Sequence, residues 1–98
     1  MRKAFADAVL AHCNRDDWFF LTGDLGFMAL ENVQSAFGSR FINVGVAEQN
    51  MIGVAAGLAR ESLRVIVYSI APFCYARPFE QIRNDLCLGR LPVCLVGN

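Results

Sequence analysis

The most constraining feature of this sequence is the run RVIVYSI, in which Val65–Ile70 is rich in β-branched and apolar residues on both faces. Such a run is typical of a strand that is buried on both sides in a parallel sheet. Other short apolar segments also predict strands: Trp18–Leu21, Phe41–Val44 and Pro92–Val96. Helical patterns separate these strands, and this alternation predicts an α/β fold with a parallel sheet flanked by helices.

The helical patterns cover four segments: Arg2–Cys13, Ala29–Phe37, Ala47–Glu61, and a longer one from Pro72 to about Leu88. Pro78 lies inside the last segment and is expected to kink or interrupt it, because proline has no backbone N–H. The chain stops at Asn98, just after a predicted strand, whereas a parallel strand normally continues into a crossover helix. We therefore expect residues 1–98 to form one domain that is truncated at its C-terminus.

Composition narrows the possible functions. The 98 residues are enough for one small domain. The chain is 55% hydrophobic and 18% charged, which is apolar for an isolated domain and predicts that a partner covers part of its surface. Nine basic and nine acidic residues cancel, which argues against a nucleic-acid-binding protein. No apolar stretch reaches the roughly 18–20 residues that would span a bilayer.

The four cysteines show no CxxC spacing and have mostly apolar neighbours: Cys13, Cys74, Cys87 and Cys94. We expect free thiols that pack as small hydrophobic side chains in a reducing cytoplasm. His12 is the only histidine, so a multi-histidine metal site is excluded.

In a parallel α/β sheet, ligands bind outside the carboxyl ends of the strands. The sequence predicts that three loops gather there: Thr22–Gly26, Val44–Glu48 and Ser69–Tyr75. Glu48 stands where the second loop turns into a helix rich in small residues, namely Gly53, Ala55, Ala56, Gly57 and Ala59. Such a helix permits close approach of another backbone or of a flat ligand. By itself, a carboxylate in a first helical turn needs no explanation beyond the helix dipole, worth about 0.3–1 kcal/mol.

Several segments, taken in order, carry a resemblance to a known family. They are the Asp24-Leu25 turn, RFINVGVAEQNMIGVAAGLA, RVIVYSI, PFCYARPFEQIRND and LPVCLVG. Together they resemble the pyrimidine-binding domain of thiamine-diphosphate enzymes of the transketolase type, and above all the C-terminal subunit of split transketolases. The AEQNM core combined with the downstream QIR is the specific part of this resemblance.

The resemblance implies roles for individual residues. Glu48 would hydrogen-bond a ring nitrogen of the cofactor's aminopyrimidine and thereby activate the cofactor. Phe73 would stack on that ring, with Tyr75 as the alternative, because an extra residue near Pro78 leaves the register open. Asp24 and Leu25 would lie near the cofactor, although GDLG is equally well explained as an ordinary turn at the end of a strand.

The same family binds Mg²⁺ and diphosphate through a Gly-Asp-Gly motif followed by Asn. Gly23-Asp24-Leu25 with Asn50 imitates that spacing, but the side chain of Leu25 would obstruct close backbone approach. The resemblance therefore implies that a partner domain or subunit, absent from this chain, holds Mg²⁺ and the diphosphate of thiamine diphosphate. The active assembly would be a homo- or hetero-oligomer catalysing two-carbon or acyl transfer, and the isolated chain would be inactive.

Alternatives remain open at the level of sequence. The chain could be a non-catalytic remnant that only dimerises, or a fragment of a 2-oxo acid dehydrogenase beta subunit or of deoxyxylulose-phosphate synthase. Three charged residues of the last helical segment, Arg77, Arg83 and Asp85, are interpreted as a solvated face in preference to a dimer contact.

Overall fold

The computed structural model describes residues 1–26 and 28–98 and contains one parallel sheet in the strand order β2-β1-β3-β4. The strands are β1 (Trp18–Thr22), β2 (Phe41–Asn43), β3 (Arg64–Ser69) and β4 (Val93–Gly97). In the central register, Leu21 lies opposite both Ile42 and Val67, and Val67 lies opposite Leu95. The predicted fold class is confirmed, and the predicted strand bounds are correct to within two residues.

The helices are α1 (Arg2–His12), α2 (Glu31–Phe37), α3 (Glu48–Arg60), α4 (Ala71–Tyr75) and α5 (Phe79–Gln81). A 3₁₀ turn, Gly38–Arg40, follows α2, and a π-helical stretch, Ile82–Cys87, continues α5. The long helix predicted over residues 72–88 is thus divided. The interruption falls before the buried Pro78, as expected for a residue that cannot donate a backbone hydrogen bond.

Each face of the sheet carries its own hydrophobic core. On one face, α3 and the π-helical stretch cover the sheet, and the buried side chains include Leu21, Met51, Ile52, Val67 and Leu86. On the other face, α1 and α2 cover an aromatic cluster in which the rings of Phe20 and Phe41 stack with centroids 5.3 Å apart. Fully burying one such apolar side chain stabilises the fold by about 1.5–3 kcal/mol.

The small residues of α3 fall on two different sides of the helix. Ala55, Ala56 and Ala59 are buried in the core, so that the helix lies close against the sheet. Gly53 and Gly57 point outward, and a Cβ built at either glycine meets nothing within 4 Å. The alanines are therefore explained by internal packing, whereas the two glycines are not.

All four cysteines lie within the described residues and are free thiols, as expected. The expectation that they pack as small hydrophobic side chains is correct for the buried Cys74 and wrong for Cys87 and Cys94, which are exposed. Cys94 alternates outward on the edge strand β4, and Cys87 ends the π-helical stretch. Within residues 1–26 and 28–98, the helices are all too short or too polar to cross a bilayer.

Candidate functional site

The loops after β1 and β2 meet at the carboxyl edge of the sheet, as predicted. The N–H of Val44 donates to the carbonyl oxygen of Thr22 at 2.9 Å. A Cβ at Gly23 would lie 2.6 Å from the carbonyl oxygen of Gly45, so only glycine permits this approach of the two loops.

Asp24 belongs to this contact. The amide nitrogen Nδ2 of Asn43 donates to Oδ1 of Asp24 at 2.9 Å, and Oδ1 of Asn43 accepts the N–H of Gly45 at 2.8 Å. Asp24 and Leu25 line an open depression of about 320 Å³ together with Glu31 and Asn43. Leu25 also packs against the aromatic core, so its side chain helps to anchor the loop.

Glu48 is the first residue of α3, and its side chain is only 9% exposed. The preceding residue, Ala47, has a methyl side chain that cannot cap the helix. The carboxylate of Glu48 is therefore the negative charge at this positive end of the helix dipole. A carboxylate buried to this extent requires a hydrogen-bonded or charged partner.

Arg77 supplies that partner. Its Nη1 donates to Oε2 of Glu48 at 3.2 Å, while its guanidinium carbon lies 4.0 Å from the centroid of the Phe73 ring. The planar cation is thus bonded to the carboxylate and lies over the face of the aromatic ring. Because Arg77 contacts both groups, Glu48 and Phe73 border one common space, which we call the Glu48–Phe73 cradle.

The interpretation of Arg77 as part of a solvated face is incomplete, since its side chain is 46% exposed but its guanidinium is also bonded to Glu48. The sequence contains a pattern that points to the contact of Arg77 with Phe73, but none that points to its bond with Glu48. Arg77 lies four residues after Phe73, the spacing at which side chains meet on a helix, and directly before the helix-breaking Pro78. Tyr75, the alternative stacking residue, is 60% exposed.

Two buried polar groups have no hydrogen-bond partner among the described residues: the hydroxyl of Ser69 and Oε1 of Gln81. Ser69 ends β3, and strand alternation places its side chain on the same face as Val67, the face that α3 covers. Cys74 is also buried, and burial raises the pKa of its thiol. Cys74 therefore stays protonated at neutral pH and is a poor nucleophile.

Among residues 1–26 and 28–98, no three His, Cys, Asp or Glu side chains lie close enough together to bind a metal ion. The site therefore consists of one buried carboxylate, an aromatic face and a planar cation between them, at the carboxyl edge of a parallel sheet. A family model described as "Transketolase, pyrimidine binding domain" matches residues 1–97. The chain belongs to this family.

Individual relatives agree with the transketolase assignment. The chain is 34% identical over 98 residues to a subunit of the apulose-4-phosphate transketolase of Phocaeicola vulgatus, covering 98% of this chain and 31% of the relative. It is 45% identical over 60 residues to 1-deoxy-D-xylulose-5-phosphate synthase of Desulfotalea psychrophila, covering 61% of this chain and 9% of the relative.

Among solved structures, the chain is similar to one described as "Split gene transketolase, inactive beta4 tetramer". The TM-score is 0.80 and the identity 35%, over 94% of this chain and 31% of the solved chain. This transketolase pyrimidine-domain chain thus spans less than a third of the length of each of these relatives.

Proposed function

We propose that this chain is part of a thiamine-diphosphate-dependent, transketolase-like transferase and supplies the glutamate that activates the cofactor's aminopyrimidine. The observation that carries the proposal is the guanidinium of Arg77, bonded to Glu48 and lying on Phe73. That guanidinium shows which chemistry the Glu48–Phe73 cradle accepts: a flat, delocalised, nitrogen-rich group with N–H donors in its plane.

An aminopyrimidine ring is likewise flat, delocalised and nitrogen-rich, with an amino N–H in its plane, and its ring nitrogen can bond to the Glu48 carboxyl group when a proton lies between them, so the residues present fit it. The carboxylate of Glu48 would hold a proton at a ring nitrogen, and its burial would exclude water from that hydrogen bond. Phe73 would orient the ring by stacking, with Tyr75 as the alternative platform. Asp24 and Leu25 would border the cofactor from the loop after β1. Thiamine diphosphate, when bound, supplies the carbanion chemistry for transfer of a two-carbon or acyl group.

The residues present do not fit the diphosphate and Mg²⁺. Leu25 replaces the glycine that close backbone approach would need, and the described residues include no cluster of metal ligands. We propose that a second subunit or domain holds both groups, and that residues 1–98 correspond to part of a pyrimidine-binding domain. A relative described as a transketolase subunit and a solved structure described as a beta4 tetramer support an oligomeric assembly. The free cysteines support a cytoplasmic location.

Two observations favour alternatives. The similar solved structure is described as an inactive tetramer, which is compatible with a module that only associates. The 45% identity to a deoxyxylulose-phosphate synthase is compatible with a fragment of that enzyme class. Either alternative keeps the fold and changes what the carboxyl edge of the sheet does.

Co-purification from the native source tests the proposed function. We expect a second polypeptide with a complete Gly-Asp-Gly…Asn motif to accompany the chain, and two-carbon transfer to require both polypeptides, thiamine diphosphate and Mg²⁺. If the chain is recovered only with copies of itself, and the assembly lacks transfer activity after cofactor is added, it is an association module and the proposal is wrong.

A further inference from the structure

We infer that Arg77 is a built-in occupant of the Glu48–Phe73 cradle, which fills the place of the aminopyrimidine ring in the free chain and leaves when the ring binds. The inference rests on the proposed function, since the aminopyrimidine is the ligand that displaces the side chain.

Arg77 contacts the same two groups that the ring would contact, the carboxyl group of Glu48 and the face of Phe73. Its Nη1 donates to Oε2 of Glu48 at 3.2 Å, and its guanidinium carbon lies over the Phe73 ring, 4.0 Å from the centroid. Protein interiors are close-packed, and one face of an aromatic ring can stack against only one planar group at a time. Ligand binding on this face therefore requires the guanidinium to move.

The structure also explains why the empty cradle needs an occupant. The Glu48 side chain is 9% exposed, and an unpartnered carboxylate at that depth would be strongly unfavourable. Arg77 neutralises this charge and keeps the carboxylate oriented toward the space over Phe73. Arg77 therefore compensates the buried charge until the ligand takes its place.

The position of Arg77 in the chain lets it leave without moving the cradle. It lies at the interruption between α4 and α5, directly before Pro78, and its side chain is 46% exposed. Its long, flexible side chain can turn toward solvent, where the guanidinium is readily hydrated. Glu48 and Phe73 are fixed by α3 and α4.

The test is an NMR titration of the 98-residue chain with 4-amino-5-hydroxymethyl-2-methylpyrimidine. Arg77→Ala removes the occupant. We expect this variant to bind the pyrimidine about tenfold more tightly than the unmodified chain, because the ring no longer competes with the cation–π contact and the charged hydrogen bond of Arg77. Arg77→Lys keeps the charge but loses the flat, stacking shape, so its affinity for the pyrimidine should lie between those of Arg77→Ala and the unmodified chain. Arg83→Ala, at an exposed arginine of the π-helical stretch, is the matched control and should not alter affinity. Equal or weaker binding by Arg77→Ala contradicts the inference.

A second titration uses methylguanidinium as the probe. We expect it to bind Arg77→Ala saturably, to shift the Phe73 resonances, and to compete with the pyrimidine, whereas the Arg83→Ala control should show none of these effects. Failure of methylguanidinium to compete would contradict a shared site.

The two proposals fail in different ways. Pyrimidine binding that is weakened by Glu48→Gln and Phe73→Ala but is not strengthened by Arg77→Ala leaves the proposed function in place and overturns the inference. If no variant binds the pyrimidine while Arg77→Ala still binds methylguanidinium, the cradle is real but the proposed function is wrong, and displacement by the ring is overturned with it.

Discussion

At the scale of single residues, Glu48 shows how much the surroundings of a side chain decide. Taken alone, its sequence position needs no explanation beyond the helix dipole, and its role toward a ligand rests on the resemblance of the surrounding segments. The structure adds that the carboxylate is buried and that a planar cation binds it over an aromatic face. A charge needed only for the helix dipole would do its work while exposed, so burial next to Phe73 favours the role in binding.

The sequence predicted the two residues that border the Glu48–Phe73 cradle, but it did not predict that Arg77 contacts both of them. Glu48 and Phe73 were found through motifs that depend on local order along the chain. The direction of Arg77 depends on how the segment before Pro78 bends back toward α3, which is a tertiary property. A charged residue on a short, interrupted helix is ambiguous without that information.

The first prediction concerns the stacking residue. Phe73→Ala should weaken binding of thiamine diphosphate to the reconstituted assembly, because loss of aromatic stacking costs about 0.5–1.5 kcal/mol, or roughly two- to tenfold in Kd. Tyr75→Ala is the matched comparison, since Tyr75 is 60% exposed and two residues away. Calorimetric titration decides between them. A larger loss of thiamine-diphosphate affinity in Tyr75→Ala than in Phe73→Ala would identify Tyr75 as the stacking residue.

At the scale of elements, the small residues of α3 lie on two sides of the helix and serve different purposes. The sequence predicted the helix and shows its small residues, but it did not indicate which of these residues face the sheet. Ala55, Ala56 and Ala59 let the helix lie on β1 and β3, while Gly53 and Gly57 stay on the outside. Glycine in a helix interior is unfavourable relative to alanine, so two outward glycines suggest a surface that another backbone approaches closely.

The second prediction tests that surface. Gly53→Ala and Gly57→Ala should each stabilise the free chain by about 0.5–1 kcal/mol in chemical denaturation, because the added Cβ has open space and the helix gains propensity. The same changes should weaken association in sedimentation experiments.

Ala11→Leu provides the control for this prediction, since it adds bulk to an exposed position of α1 on the opposite side of the sheet. It should leave association unchanged. If the two glycine variants associate as tightly as the unmodified chain, the glycines do not line an interface.

At the scale of the whole molecule, the alternation of strands and helices was enough to predict the parallel sheet and the edge at which the loops after β1 and β2 meet. Most of the third predicted loop, Ser69–Tyr75, is helix α4. Buried β-branched runs and helix periodicity encode this architecture locally. The break at Pro78 was also predictable, because it follows from the chemistry of proline. The outward position of Cys87 and Cys94 was not, because an apolar sequence neighbourhood does not specify which side of an element a residue occupies.

The measurement that tests the central claim most directly is the exchange of the thiazolium C2 proton of bound thiamine diphosphate with deuterium. It is made on the chain reconstituted with its diphosphate-binding partner, so that it reports activation of the cofactor before any substrate reacts. Glu48→Gln keeps the shape and a hydrogen bond but cannot share a proton with the ring nitrogen, and we predict exchange slower by about a hundredfold or more. Glu61→Gln, at the exposed C-terminal end of the same helix, should exchange at the normal rate. Near-normal exchange in a folded Glu48→Gln assembly would contradict the assignment of Glu48.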